Sequence, residues 1–267
     1  MDTTLTVVGL GGSLARHSRS RAALQVALEG AANAGARTQL LDLRELHLPM
    51  FNPEAEPTRA VDELIETCHA ADGMLWSSPL YQGSISGALK NALDWLRLLQ
   101  DREPPFLHDK VVGLISAAGG THGLQAINTM EFVTRALRAW AAPYVVPVAS
   151  AARVFNEAGQ IQDRSVESQL RMLGAEVVRV AGRFAVDDSL HRATECQQRN
   201  GSPRSRSPTH SRGRARSPSS VSGRTASTLF HRARSRDSTG TARLRMSRVS
   251  SHVPLEDSCG LPHFKYR

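Results

Sequence analysis

The sequence predicts an α/β protein in which five parallel strands form a doubly wound sheet. Five short apolar runs alternate with five amphipathic helical patterns along residues 1–188, which is typical of an open parallel sheet with helices on both faces. Loops rich in glycine and hydroxyl groups follow the first, third and fourth runs, where ligands bind in sheets of this kind. A basic tail begins after this region, so we expect two parts, residues 1–188 and residues 189–267.

The first part of the chain supplies two strands and two helices. The predicted elements are strands over residues 5–10 and 37–43 and helices over residues 21–35 and 58–70. Asp42, at the end of the second strand, is interpreted as a turn former. A Pro-rich segment over residues 48–57 follows, and we expect it to act as a lid or a subunit contact.

The loop after the first strand reads GGSLARHSRS, residues 11–20, and leads into a helix. Helix N-terminal amides and loop hydroxyls bind phosphate well. The dinucleotide fingerprint GxGxxG would need glycine in place of Leu14, and a P-loop would need a GK[ST] sequence that does not follow. A serine-rich loop for a monoester phosphate remains, beside the alternative that Ser13, Ser18 and Ser20 are ordinary capping residues.

The third strand leads directly into the stretch that organises the chain, residues 77–95, SSPLYQGSISGALKNALDW. Pro79 has a fixed φ and no N–H, Tyr81 offers a flat amphipathic face, and Gly83 lets backbone amides approach a ring edge. The helix that follows can be capped by two hydroxyls, those of Ser84 and Ser86. This turn suits a planar aromatic ligand, although a well-capped strand-to-helix connection explains the same residues.

The loop after the fourth strand, residues 117–123, contains the pair Gly119-Gly120. The pair suits close approach of the backbone to a flat ligand and equally suits a tight connection. His122 has no carboxylate or nucleophile at a meaningful spacing, and we interpret it as a solvated loop residue. The sequence contains no convincing catalytic or metal-ligating constellation. The loops after strands one, three and four are expected to converge at one edge of the sheet.

The remaining elements complete the alternation. They are a strand over residues 111–116, a helix from Leu124 to Trp140, a strand over residues 144–148, a turn or hairpin over residues 155–159 and a helix over residues 166–184.

Cysteine usage and hydropathy bound the environment. Three cysteines without CxxC spacing indicate neither a zinc site nor a disulfide framework, and Cys68 is interpreted as a small buried residue. No basic and apolar leader precedes the first strand, and no run approaches the ~18 apolar residues of a membrane span. We therefore expect a cytoplasmic protein without a membrane partner.

Residues 4–186 resemble the NAD(P)H-dependent FMN reductase family of flavodoxin-like proteins. The resemblance rests on Gly12-Ser13 followed by Ser18-Arg19-Ser20, on the block from Pro79 to Trp95, and on Ala118-Gly119-Gly120. It implies a flavodoxin-like fold, FMN as the cofactor, and hydride transfer from NADPH or NADH to flavin N5, then passage of electrons to a second flavin, a quinone or another acceptor. The alternative is a flavodoxin-like electron carrier that binds FMN without nicotinamide turnover.

By this resemblance each of the three loops has a role in FMN binding. The phosphate would be held by Ser13, Ser18, Arg19 and Ser20. Arg16 is a further candidate, although it departs in placement from the arginine that many members carry two residues after Gly-Ser. The isoalloxazine would be lined by Pro79, Leu80, Tyr81, Gln82, Gly83 and Ser84 and flanked by Ala118, Gly119 and Gly120. The helix Gly87–Trp95 resembles the subunit-packing surface of the family, which implies a homodimer or homotetramer.

The tail differs from the rest of the chain in charge and composition. Residues 1–190 contain 17 Lys and Arg against 21 Asp and Glu, whereas residues 191–267 contain 16 against 4. Arg, Ser, Pro and Gly dominate there without a sustained period, which predicts disorder. Binding to RNA or DNA phosphates is electrostatically compatible with this composition. We favour a shifted or fused reading frame, since GC-rich DNA read out of frame yields the same residue types.

Overall fold

The computed structural model describes the backbone of residues 4–200 and the side chains of residues 4–185. Five strands form one parallel sheet in the order β2-β1-β3-β4-β5. The strands are β1 (Thr6–Gly11), β2 (Arg37–Asp42), β3 (Gly73–Pro79), β4 (Val111–Ala117) and β5 (Trp140–Val148). The strand order reverses direction at β1, which creates a crevice between β1 and β3 at the carboxyl edge of the sheet. This sheet confirms the predicted flavodoxin-like fold.

Helices cover both faces of the sheet. α1 and α7 pack on one face, and α3, α4 and α5 pack on the other, while α2 and α6 are single turns. The helices are α1 (Arg19–Asn33), α2 (Leu43–Leu46), α3 (Arg59–Ala70), α4 (Gly87–Trp95), α5 (Leu124–Ala136), α6 (Ala151–Val154) and α7 (Arg164–Asn200), with a 3-10 turn at Leu96–Leu99.

Two apolar cores hold the central strands in place. Met74 and Trp76 of β3 enter the core beneath α3, α4 and α5, whereas Leu75 enters the core beneath α1 and α7. Every residue of β3 and of β4 is buried. Burial on both faces explains why these strands are continuous apolar runs in the sequence. It also fixes the strand ends from which the loops of interest leave.

Two glycines bring α1 and α7 into backbone contact. A Cβ atom at Gly174 would lie 1.9 Å from the Ala27 carbonyl oxygen, and one at Gly30 would lie 2.2 Å from the Arg171 carbonyl oxygen. Neither position has room for a side chain. α1, the helix of the first βα unit, is therefore anchored by α7.

The predicted helix from Leu124 to Trp140 is wrong at its C-terminal end. α5 ends at Ala136, and Arg138 adopts the left-handed conformation (φ 62°), which a continuing helix cannot accommodate. Trp140 instead opens β5 and pairs with Val111 of β4, so β5 begins four residues before the predicted strand. The error has a physical origin, because an apolar residue at position 140 continues the helical spacing and also suits a strand.

α7 continues past residue 188, where the sequence places the domain end, and reaches Asn200. The predicted boundary stays a prediction, and the tail beyond residue 200 lies outside the described residues. No helix within residues 4–200 is long and apolar enough to cross a membrane.

Candidate functional site

The three loops selected from the sequence leave the carboxyl edge of neighbouring strands. The β1–α1 loop reaches β3 through a hydrogen bond from the Gly12 N–H to the Ser77 carbonyl, 3.0 Å. The β3–α4 loop reaches β4 through the Leu80 N–H, which donates to the Ala117 carbonyl at 3.1 Å. The expected convergence of the loops after β1, β3 and β4 is therefore present in the structure.

Two glycines make the turn out of β1. Gly12 has a φ of 96°, a conformation that other residues rarely adopt. A Cβ atom at Gly11 would lie 2.2 Å from the Ser77 carbonyl oxygen, so β1 and β3 approach each other too closely for any side chain there. Beyond the turn, residues 13–18 connect the carboxyl end of β1 to α1.

A cluster of three serine hydroxyls lies at the start of α1. Ser18 is the N-cap of α1, and its Oγ accepts a hydrogen bond from the Arg21 N–H at 3.2 Å. The same oxygen accepts from the Ser13 N–H at 3.1 Å and lies 3.1 Å from Ser13 Oγ and 3.0 Å from Ser20 Oγ. The N–H groups of Arg19 and Ser20, in the first turn of α1, have no preceding helical carbonyl to bind. This donor set of hydroxyls and helix amides fits a phosphate group.

Two arginines, Arg16 of the β1–α1 loop and Arg19 at the start of α1, line a cavity together with Ser18 of the serine cluster. Arg16 and Arg19 are exposed and line a cavity of about 630 Å³ together with His17 and residues 156–159. Among the described residues neither arginine has a carboxylate within ion-pair distance. Their positive charge is thus available at the rim of the loop.

A neighbouring ion pair fixes the base of this loop, and sequence reasoning missed it. Asp42 Oδ2 lies 2.8 Å from Arg21 Nε, and Asp42 Oδ1 accepts from the Arg44 N–H at 3.0 Å. Asp42 is therefore the N-cap of α2 as well as the partner of Arg21, a wider role than the predicted turn former. The pairing of Gly11 with Asp42 in adjacent strands is what brings this carboxylate to α1.

The loop after β3 contains a tight turn that directs two side chains outward. Tyr81 and Ser84 exchange both backbone hydrogen bonds, at 2.9 and 3.0 Å, and Gln82 and Gly83 have φ of 48° and 82°. Positive φ at both central residues is the type I′ geometry. Tyr81 is 51% exposed, whereas Pro79 is buried as the last residue of β3. The exposed ring of Tyr81 and the Gln82 amide are the groups that a ligand would meet first.

The two predicted capping serines of α4 have different roles. Ser86 is the N-cap, and its Oγ accepts from the Leu89 N–H at 3.2 Å. Ser84 lies two residues before this N-cap and does not cap the helix. Its Oγ instead lies 3.5 Å from Thr129 Oγ1 of α5. The prediction is therefore right for Ser86 and wrong for Ser84, whose hydroxyl the tight turn directs toward α5.

The glycine pair after β4 is explained neither by backbone strain nor by packing. A Cβ atom at Gly119 would meet nothing within 4 Å, and one at Gly120 would meet only His122 Nδ1 at 3.9 Å. Neither glycine has a positive φ. Ala118, by contrast, is buried and bonds to the Val148 carbonyl and the Ala151 N–H. The pair therefore leaves an open surface beside the β3–α4 turn, which fits a flat ring lying against the backbone.

The Pro-rich segment predicted as a lid or subunit contact is fixed to α4. Trp95 Nε1 and Asn91 Nδ2 both donate to the Pro49 carbonyl at 2.9 Å. Asn91 Oδ1 accepts from the Phe51 N–H at 2.7 Å, and the Phe51 and Trp95 rings meet edge to face with centroids 5.1 Å apart. This part of the segment is held by the helix of its own chain.

Comparison with known proteins identifies relatives of the chain. A sequence model of the family "NADPH-dependent FMN reductase" matches residues 5–153. The NAD(P)H-dependent FMN reductase PA1204 of Pseudomonas aeruginosa is 30% identical over 191 residues, which cover 68% of this chain and 100% of that protein. The NADPH-dependent FMN reductase ArsH of Shigella flexneri is 28% identical over 170 residues, 64% of this chain. The matched segment spans 66% of the length of ArsH.

A solved structure supports the fold independently. FerB from Paracoccus denitrificans, a flavoenzyme NAD(P)H:(acceptor) oxidoreductase, is similar with a TM-score of 0.56 and 21% identity. The similarity covers 68% of this chain and 99% of FerB.

Proposed function

The chain belongs to the NADPH-dependent FMN reductase family, and on that premise we propose that it is an FMN-dependent oxidoreductase that uses NADPH or NADH to reduce a free flavin, a quinone or a similar acceptor. The observation that carries the proposal is the meeting of a phosphate-type loop, a tight turn and an open glycine surface at one edge of the sheet. Each of these features fits a different part of FMN.

The β1–α1 loop would hold the phosphate. Ser13, Ser18 and Ser20 offer hydroxyls, and the first turn of α1 offers amides that the helix itself does not use. Arg19 and Arg16 would add positive charge at the rim. On binding, the hydrogen bonds that the serine hydroxyls form with each other would be replaced by hydrogen bonds to phosphate oxygens.

The other two loops would hold and orient the ring. The ring would be lined by the loop after β3, residues Pro79, Leu80, Tyr81, Gln82, Gly83 and Ser84. It would be flanked by Ala118, Gly119 and Gly120. When bound, FMN would supply the redox chemistry, as a hydride acceptor at its N5 position. The residues of this chain supply orientation and restrict water, and the proposal requires no protein acid or base.

We also propose that the chain forms a homodimer or homotetramer through α4. Lys90 and Asp94, which form an ion pair at 2.5 Å, and the exposed Gly87 lie on the side of the helix that the protein core does not cover. Sedimentation of the full chain tests this proposal. The predicted cytoplasmic location and the predicted division at residue 188 stay predictions, and an intact mass of the native protein decides whether the tail is present.

Anaerobic titration of FMN-loaded protein with NADPH and with NADH, followed by an acceptor panel, tests the proposed function. We expect the visible absorption band of the oxidised flavin to bleach with at least one nucleotide. Protein that retains FMN but does not bleach would instead be an electron carrier. Protein that retains no FMN would contradict both functions. Salt-sensitive RNA retention that truncation after Asp188 abolishes would indicate a nucleic-acid role.

A further inference from the structure

Three fully buried serines interrupt the apolar ends of the two central strands. Ser77 and Ser78 lie near the end of β3 and Ser116 near the end of β4, and all three have no exposed surface. Ser78 and Ser116 are direct neighbours in the strand register. A buried hydroxyl is costly unless it forms hydrogen bonds, so the partners of these groups are informative.

Ser77 of β3 forms hydrogen bonds with both ends of the β1–α1 loop. Its Oγ donates to the Ser20 carbonyl at 2.8 Å, and its carbonyl accepts from the Gly12 N–H at 3.0 Å. Ser77 therefore holds both ends of the loop that carries the serine cluster.

Ser78 binds the β3–α4 loop at both of its ends. Its Oγ donates to the Pro79 carbonyl at 2.9 Å and accepts from the N–H of Ser86, the N-cap of α4, also at 2.9 Å. This hydroxyl closes the loop around the tight turn at residues 81–84.

Ser116 binds the β4–α5 loop. Its Oγ donates to the Gly123 carbonyl at 2.9 Å. A Cβ atom at Gly123 would lie only 2.7 Å from Ser116 Oγ. The hydroxyl therefore fixes Gly123, which precedes α5 in the loop that contains the glycine pair.

We propose that Ser77, Ser78 and Ser116 are positioning residues, each of which fixes one of the three loops of the FMN site. The proposal rests on the proposed function. Ser77 sets the loop for the phosphate, whereas Ser78 and Ser116 set the two loops for the ring. Because each hydroxyl serves a different loop, removal of each one has a different effect on flavin binding.

Three variants of the full chain, Ser77→Ala, Ser78→Ala and Ser116→Ala, test this assignment. Dissociation constants for FMN and for riboflavin, which lacks the phosphate, are measured with the absorption spectrum and reduction potential of the bound flavin. Ser77→Ala is expected to weaken FMN about tenfold and riboflavin less than about twofold, the size of one lost hydrogen bond. Ser78→Ala and Ser116→Ala are expected to weaken both flavins alike and to shift the spectrum and the potential.

Thr134→Val is the matched control. Thr134 is also fully buried, and its Oγ1 donates to the Met130 carbonyl at 2.8 Å, but both residues lie within α5. This variant also loses a buried hydroxyl, so its melting temperature is expected to fall. Its FMN-to-riboflavin ratio, flavin spectrum and potential are expected to stay those of the unaltered chain.

The outcomes separate this inference from the proposed function. If the unaltered chain retains no FMN, the proposed function fails and the inference fails with it. If the unaltered chain binds FMN and the three serine variants change both flavin affinities and the spectrum in the same way as Thr134→Val, only the inference is overturned. Where an alanine variant does not fold, the near-isosteric Ser→Cys change at the same position carries the test under the same criteria.

Discussion

Two substitutions of Ser18 separate its role in folding from its role in binding. Ser18 Oγ caps α1 by accepting from the Arg21 N–H, and it also accepts from the Ser13 N–H. Aspartate is an equally good N-cap acceptor but brings a negative charge and no donor. Ser18→Ala removes both functions of the side chain, whereas Ser18→Asp keeps the cap and opposes a phosphate.

The magnitudes follow from these contacts. Loss of an N-cap costs about 1 kcal/mol, and the unpaired N–H of Ser13 adds about 1 kcal/mol, so Ser18→Ala is expected to lose about 2 kcal/mol of unfolding free energy. Ser18→Asp is expected to stay within about 0.5 kcal/mol of the unaltered chain. Loss of a hydrogen bond to a charged phosphate, about 1.5–3 kcal/mol, weakens FMN roughly 10- to 150-fold in Ser18→Ala. Like-charge repulsion makes the loss in Ser18→Asp at least about 100-fold.

Urea unfolding of the protein without flavin measures the stabilities, and fluorescence titration measures the affinities for FMN and riboflavin. Ser18→Thr, which keeps the hydroxyl, is the control for altered shape. The reasoning is refuted if Ser18→Asp binds FMN within about twofold of the unaltered chain, a change too small for a lost charged hydrogen bond. It is also refuted if Ser18→Asp weakens riboflavin as much as FMN.

Four further predictions address the glycines and the buried thiol. Gly119→Ala is expected to leave the melting temperature unchanged, because a Cβ there meets nothing within 4 Å, but to weaken FMN; a large loss of stability would contradict this. Gly174→Ala is expected to destabilise the chain by several kcal/mol in urea unfolding, about 3 or more, since its Cβ would lie 1.9 Å from the Ala27 carbonyl; wild-type stability would contradict the α1–α7 contact. Burial raises the pKa of the Cys68 thiol from 9.0 to about 12. Cys68 is therefore expected to resist alkylation in the native protein at about pH 8, because the thiolate is the reactive form. Labelling at the rate of an exposed thiol would be inconsistent with its burial. Because this thiol ionises only in the unfolded chain as pH rises above 9.0, the unfolding free energy is expected to fall there by up to about 1.4 kcal/mol per pH unit.

Much of the fold follows from patterns that extend over many residues. The continuous apolar runs of β3 and β4 predict buried parallel strands, and both strands are buried along their whole length. The predicted burial of Cys68 is also confirmed. It was predictable because Cys68 lies on the clear apolar face of its helix. The prediction is wrong for Trp140, because a single aromatic residue at the end of a helical pattern suits a strand equally well.

The details of the site depend on contacts between distant parts of the chain. The sequence shows that Ser77, Ser78 and Ser116 are polar residues near strand ends, but only the register of the sheet brings each hydroxyl to a different loop. Arg21 and Asp42 likewise meet because β1 and β2 pair in parallel. Local patterns carry no information on such pairings, which explains why the ion pair was missed.

A crystal structure of the full chain grown with FMN tests the central claim most directly. We predict that one FMN molecule contacts all three loops, with its phosphate at residues 13–20 and its ring between residues 79–84 and residues 118–120. FMN bound elsewhere, or in contact with only one of these loops, would contradict the account.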